Sequence, residues 1–137
     1  MKKYEILEKT IKKMVLNDLL KYDLPDNFSD VAVDIYPFSA YYGNAAKITI
    51  LMKEPFTLED SDVFDFPLYE IKRHISVVFS DFLKAGISSS ISTEENYNKT
   101  SKPDYDERKK LLENKTKNII ITQKQFNFIV NENRNNR

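Results

Sequence analysis

The sequence predicts an α+β fold: an N-terminal helix, an antiparallel hairpin, a long central helix, a weak third strand and a C-terminal strand-plus-helix arm. Three observations support this prediction. Some segments carry apolar residues at the three-to-four spacing of an amphipathic helix. Others carry them at every second position, as half-buried strands do. The length of 137 residues suffices for one domain with an apolar core and is too short for two of ordinary size.

The first helix is predicted over residues 3–21. Its apolar side chains recur at spacings of three and four and therefore share one stripe: Tyr4, Leu7, Ile11, Met14, Val15 and Leu19. Glu8 precedes Lys12 by one helical turn, in the order that stabilises a helix by a few tenths of a kcal/mol. Pro25 then prevents the helix from continuing.

An antiparallel hairpin is predicted next. Val31, Val33 and Ile35 alternate with other residues, and a second alternating run extends from 46 to 53. The segment between these runs contains Gly-Asn, which favours a tight turn. Pro37 cannot donate a backbone hydrogen bond, so the first strand is expected to lie at a sheet edge or to end there.

The central helix is predicted over residues 66–85, after an acidic segment in which Thr57 could open one helical turn. Its wide apolar stripe is expected to cover the hairpin and comprises Leu68, Ile71, Ile75, Val78, Phe79 and Phe82. Asp65 is expected to cap the start of this helix, and Gly86 to supply a left-handed residue at its end. Residues 87–93 alternate as the weak third strand.

Three regions follow from this reading: a core domain over 1–93, a polar basic connector over 94–117 and a C-terminal arm over 118–137. The connector is expected to begin with a linker over 94–103 and to continue as a short helix to about residue 113. The arm is expected to hold a short strand over 118–122 and a helix that begins at a capping box and ends near Glu132.

The residue types present argue against an enzyme. The chain has no Cys and one His, and its two Gly cannot form a phosphate-binding loop or a dinucleotide fingerprint. His74 lies beside the stripe of the central helix, where a structural role is expected. Four nearby carboxylates do not match a calcium loop: Glu59, Asp60, Asp62 and Asp65. We expect no catalytic residue, metal or cofactor, and a carboxylate-dependent metal enzyme remains only as an alternative that needs these acids to converge.

Two groups of residues favour binding to a protein partner or to a second copy of the chain. The aromatic residues of the hairpin offer contact area, although two of them could fold back onto the core: Tyr36, Phe38, Tyr41 and Tyr42. The arm offers an apolar face that is too small to be stable alone: Phe126, Ile129 and Val130. The leading interpretation is therefore a non-catalytic interaction or assembly protein.

A small nucleic-acid-binding module is the alternative. Residues 99–137 carry ten basic and five acidic residues, so their phosphate-binding potential is diluted. The candidate contacts are Lys109, Lys110, Lys115, Lys117 and Lys124. No apolar run approaches the roughly 20 residues that cross a bilayer, and the N-terminus lacks a secretory pattern, so a cytoplasmic location without membrane contact is expected.

The C-terminal stretch from Asn118 to Glu132 resembles short segments in proteins of tailed bacteriophages, notably crAss-like and marine phages. These segments consist of aliphatic residues, Thr, two variable positions, Gln, an apolar residue and aliphatic residues before a Glu. The likeness covers about 15 of 137 residues, and no motif in residues 1–117 matches a family. The resemblance implies a small phage-encoded protein, located in the virion or the host cytoplasm, whose tail docks on a larger assembly. It transfers no catalytic residue.

Overall fold

The computed structural model describes residues 3–39 and 43–114. The predicted α+β class is confirmed, because the described residues form helices and a three-stranded sheet. The elements are α1 (Lys3–Leu19), β1 (Phe28–Ser39), β2 (Gly43–Met52), α2 (Leu58–Asp62), α3 (Asp65–Val78), β3 (Ile87–Thr93), α4 (Glu94–Asn96), a π-helical turn (Tyr97–Ser101) and α5 (Lys102–Asn114). None of these helices is long and apolar enough to cross a membrane.

The sheet has the strand order β1-β2-β3. The predicted hairpin is present, since β1 and β2 pair antiparallel, with Val33 opposite Ile48. The third strand covers the predicted residues and pairs with β2 in parallel, with Ile50 opposite Ile91. The chain reaches this parallel position by crossing over through α2 and α3, because parallel neighbours cannot be joined by a tight turn. Among the described strands β1 lies at an edge, which is one of the two positions that Pro37 predicts.

The apolar core lies between one face of the sheet and the helices α1 and α3. Every second residue of β1 and β2 points into this layer, because side chains alternate across a strand. The largest fully buried side chains are Phe64, Leu7, Ile11, Leu19, Ile35, Ile48, Ile50, Met52, Ile71, Ile75 and Val15. The stripes predicted for the first and central helices are therefore the faces that form this core.

The central helix is shorter than predicted and starts without the expected cap. It ends at Val78, and Phe79 leaves helical geometry with φ −117° and ψ 27°. The stripe continues beyond this point because the turn residues Phe79 and Phe82 are also buried, so spacing alone could not mark the end. Phe64, and not Asp65, precedes the helix and makes no side-chain cap. Gly86 is left-handed, at φ +95°, but belongs to the turn before β3.

The prediction of a linker over 94–103 is wrong, because this segment is helical. Thr93 caps α4 by accepting a hydrogen bond from the Asn96 amide at 3.1 Å. The Ser29 hydroxyl donates to the Glu94 carboxylate and ties this turn to β1. The predicted short helix is present as α5, which lies against β1. The predicted domain boundary at residue 93 stays a prediction, and the arm over 118–132 lies outside the described residues.

Candidate functional site

Asp34 is a buried carboxylate of β1, on the sheet face opposite the apolar core. It points there because it lies between the core residues Val33 and Ile35 on β1. Asp34 is 3 % exposed and has a partner on each oxygen. The Tyr97 hydroxyl donates to its Oδ2 at 2.5 Å, and the Lys109 ammonium donates to its Oδ1 at 3.0 Å.

Lys109 also bridges to Glu8 of α1. Its Nζ lies 2.9 Å from Glu8 Oε2, and the same oxygen accepts the backbone N–H of Ile35 at 2.7 Å. We call Glu8, Asp34, Tyr97 and Lys109 the polar cluster. It connects α1, β1, the π-helical turn and α5 by charge-assisted hydrogen bonds, which are stronger than neutral ones.

Three groups of the polar cluster have raised pKa values. Burial is the largest influence on Glu8 and raises the pKa of its carboxyl above 4.5, although the Ile35 N–H and Lys109 oppose this. Burial alone would lower the pKa of Lys109, but the hydrogen bonds and charges of Glu8 and Asp34 outweigh it and raise this pKa above 10.5. Burial and Asp34 raise the pKa of the Tyr97 phenol well above 10.0. At neutral pH, Lys109 is therefore an ammonium and Tyr97 a phenol, and neither is a nucleophile or a base.

The π-helical turn helps Tyr97 and Lys109 to reach the same carboxylate. At about 100° per residue, these two side chains would lie about 120° apart around a regular α-helix. The Lys102 N–H instead donates to the Tyr97 carbonyl, which closes a wider turn. This turn rotates α5 relative to α4, so that both side chains face β1.

Aromatic stacking covers the polar cluster beside Asp34. Tyr36 stacks on Tyr105 of α5, with ring centroids 5.2 Å apart and planes inclined by 22°. The Arg108 guanidinium lies 5.3 Å from the Tyr36 ring centroid. Of the hairpin aromatics predicted to bind a partner, Tyr36 therefore folds back within the chain. The arrangement supports a structural cross-link between layers.

A second feature lies on the opposite side of the sheet, where the end of α1 meets α3. A shallow groove of about 270 Å³ is lined there by Asp18, Lys21, Tyr22, Glu70, Ile71 and His74. Tyr22 meets Phe66 edge to face, with ring centroids 6.3 Å apart. The side chains of Phe66 and Tyr69 are 63 % and 56 % exposed. We call the groove together with Phe66 and Tyr69 the groove surface.

The polar groups of the groove are paired with each other. His74 Nδ1 lies 3.1 Å from Asp18 Oδ2, and Lys21 Nζ lies 3.4 Å from Asp18 Oδ1. The Arg73 guanidinium lies 5.8 Å from the centroid of the Tyr69 ring. The groove surface therefore presents exposed aromatic rings beside a group of paired polar side chains.

The acidic residues before the central helix do not converge on one point in the described structure. Among residues 3–39 and 43–114, no group of three or more His, Asp and Glu side chains is placed to hold a metal ion. Thr57 does open the expected turn, since its hydroxyl accepts the Asp60 N–H at 3.2 Å.

The other predicted binding residues are scattered or lie outside the described part of the chain. Phe38 is 59 % exposed at the end of β1, and Lys110 is exposed on α5. Lys109 is engaged by Glu8 and Asp34 and is not a surface cation. The positions outside the described residues are Tyr41, Tyr42, Lys115, Lys117, Lys124, Phe126, Ile129 and Val130.

Neither the polar cluster nor the groove surface was predicted from the sequence. The acidic residues Glu8 and Asp34 are far from Lys109 in the chain, and no local pattern connects them. Phe66 and Tyr69 were overlooked because they lie off the apolar stripe of α3, although aromatic residues on the polar side of an amphipathic helix are a usable signal. Comparisons with protein families, curated proteins and solved structures find no match for this chain.

Proposed function

We propose that this chain is a non-catalytic protein–protein interaction or assembly protein that docks through the groove surface. The observation that carries the proposal is the exposure of two aromatic side chains of α3 next to the groove. Phe66 is 63 % exposed and contacts Tyr22, which lines the groove, and Tyr69 is 56 % exposed and precedes Glu70, which also lines it. Aromatic anchors beside a groove dominate the binding energy of many interfaces.

The rings of the groove surface are suited to this role. Phe66 already contacts Tyr22, so part of its motion is restricted before a partner binds. Aromatic side chains have few rotatable bonds and lose little conformational entropy when they are buried. A partner that covers Phe66 and Tyr69 would thus gain apolar burial at a small cost in entropy.

The polar cluster supports a non-catalytic role. Its potential nucleophile and base are both protonated at neutral pH, since the pKa values of Lys109 and Tyr97 are raised. Both groups are also engaged with Asp34. These four residues hold α5 against α1 and β1.

A role in a phage virion or as a phage accessory protein, which the C-terminal resemblance implies, stays a prediction. The nucleic-acid-binding alternative also stays a prediction. Lys109 is not available for phosphate contacts, because it is paired with Glu8. The nucleic-acid-binding alternative therefore rests on Lys110 and on lysines outside the described residues.

A comparison of surface variants tests the docking role. The double change Phe66→Ser and Tyr69→Ser should abolish partner capture from the native source while far-ultraviolet circular dichroism stays unchanged. Leu111→Ser on α5 is the matched control, because Leu111 is 57 % exposed and lies away from the groove. The same bound protein should be recovered with the original chain and with the Leu111 variant.

Two results would contradict the proposal. One is capture of the same partner by the double variant with undiminished affinity. The other is binding of a short DNA or RNA duplex at about 50 mM salt that the change Lys110→Ala weakens, which would favour the nucleic-acid alternative.

A further inference from the structure

The two edges of the sheet differ in how they are protected. At the β1 edge, the Ile35 N–H donates to the Glu8 carboxylate, and α5 lies against the strand. Pro37 removes one donor, and the pairing of β1 with β2 shifts register near both ends of the strand. Charged acceptors, prolines and bulges are the devices by which proteins block pairing with another chain.

The β3 edge carries none of these devices. All seven residues of β3 are Ile, Ser or Thr, without charge or proline. Its register with β2 runs without a shift from Ala46–Ile87 to Met52–Thr93. Within the described part of the chain, β3 is hydrogen-bonded to a strand on one side only. A regular, uncharged edge of this kind is a template for an added strand.

We propose that a second copy of this chain occupies that edge, with the two β3 strands antiparallel about a two-fold axis at Ser90. This pairing sets Ile87 opposite Thr93 and Ser89 opposite Ile91. In each of these pairs both side chains lie on the same face of the sheet. The two sheets therefore join into one continuous six-stranded sheet, with the core helices of both copies on one side of it. The inference concerns a surface separate from the groove surface and does not rest on the proposed function.

Charge at the two ends of β3 identifies a second copy as the occupant. Lys84 is exposed and precedes the strand, and Glu95, in an exposed pair with Lys99, follows it, whereas Glu94 is bound to Ser29 of β1. An antiparallel pair places the Lys84 end of each copy beside the Glu95 end of the other. In an antiparallel pair, each basic end of β3 therefore lies beside an acidic end of the other copy. A parallel pair would instead bring ends of like charge together, so the antiparallel pair is favoured.

A charge exchange at Ser90 tests the proposal with the full chain. Ser90 would face its own copy across the axis, where opposed side chains lie about 5 Å apart. We expect the original chain to dimerise with rising concentration in sedimentation equilibrium. Ser90→Lys and Ser90→Glu should each weaken the dimer about fivefold, which corresponds to about 1 kcal/mol. An equimolar mixture of the two variants should restore dimerisation.

The control is Ser76→Lys, which makes the same change at an exposed position of α3 and should leave the dimer intact. A full chain that remains monomeric over a hundredfold range of concentration overturns the proposal, as does a dimer that both Ser90 variants leave unchanged. In a monomeric chain, slow exchange of the β3 amides that point away from β2 would assign the edge to another segment of the same chain and would also overturn the proposal.

Discussion

The Lys109 ammonium lies 2.9 Å from the Glu8 carboxylate and 3.0 Å from that of Asp34, and so joins α5 to both α1 and β1. The side chain of Asp34 is 5 % exposed. A buried ion pair contributes little net stability when intact, but the loss of one partner leaves an uncompensated charge. The stability of the described fold should therefore be sensitive to single changes in the polar cluster.

Asp34→Ala should lower the free energy of unfolding by about 3 kcal/mol, because it leaves Lys109 and the Tyr97 hydroxyl without an acceptor. Urea denaturation followed by circular dichroism measures this loss. The matched control is Asp104→Ala, which removes an exposed i,i+4 pair with Arg108 and should cost at most about 0.5 kcal/mol. Equal losses in the two variants would show that Asp34 has no structural role beyond that of a surface acid.

Tyr97→Phe should lower the free energy of unfolding by about 2 kcal/mol, since it removes a hydrogen bond to a buried charged acceptor and retains the ring. The same urea titration measures the effect. Tyr69→Phe is the control, because Tyr69 is 56 % exposed, and its stability should stay within about 0.5 kcal/mol of the original. An unchanged Tyr97 variant would contradict the hydrogen bond to Asp34.

The stability of the fold should fall as the pH rises above about 10. The unfolded chain releases the Tyr97 and Lys109 protons near their ordinary pKa values of 10.0 and 10.5, whereas the folded chain retains them to higher pH. The unfolded state then binds fewer protons, so the free energy of unfolding decreases with pH in this range, and these two groups add no pH dependence below it. Urea denaturation between pH 7 and 11 measures the slope. Tyr97→Phe should make it shallower by up to about 1.4 kcal/mol per pH unit, and an identical slope would refute the assignment.

Two neighbouring phenylalanines should differ greatly in their contribution to stability. Phe64 is fully buried in the core, where it contacts Phe28 with ring centroids 6.0 Å apart, whereas Phe66 is 63 % exposed. Phe64→Ala should cost about 4 kcal/mol through lost burial and the cavity that remains. Phe66→Ala should cost less than about 1 kcal/mol. Comparable thermal unfolding temperatures for the two variants would contradict the orientation of α3.

Local periodicity predicted the core faces of the two main helices and of the hairpin, but not the buried Phe64 before α3, nor how distant residues meet. The stripe containing Leu7 and Ile11, and that containing Ile71 and Ile75, predicted α1 and α3 because each stripe must be buried along its length. Ile87 and Ile91 indicated a strand, but alternation carries no information about parallel or antiparallel pairing.

The candidate sites were harder to predict, for a physical reason. Lys109 belongs to a run of basic residues, which by itself is typical of a solvated helix face. Its burial depends on Glu8 and Asp34, which only the folded chain brings near. The linker prediction failed for a related reason: residues 94–101 are poor in apolar side chains, and their helical turns are held by a Thr93 cap and by hydrogen bonds to β1.

The parallel position of β3 also has a consequence for the order in which the chain folds. The β1–β2 pair closes through a short connection and loses little loop entropy, whereas β3 joins β2 only after the whole crossover through α2 and α3 has been placed. We expect the transition state to contain the hairpin and the two core helices, with β3 added afterwards. In kinetic measurements, truncation of Ile48 should then slow refolding, and truncation of Ile91 should chiefly accelerate unfolding.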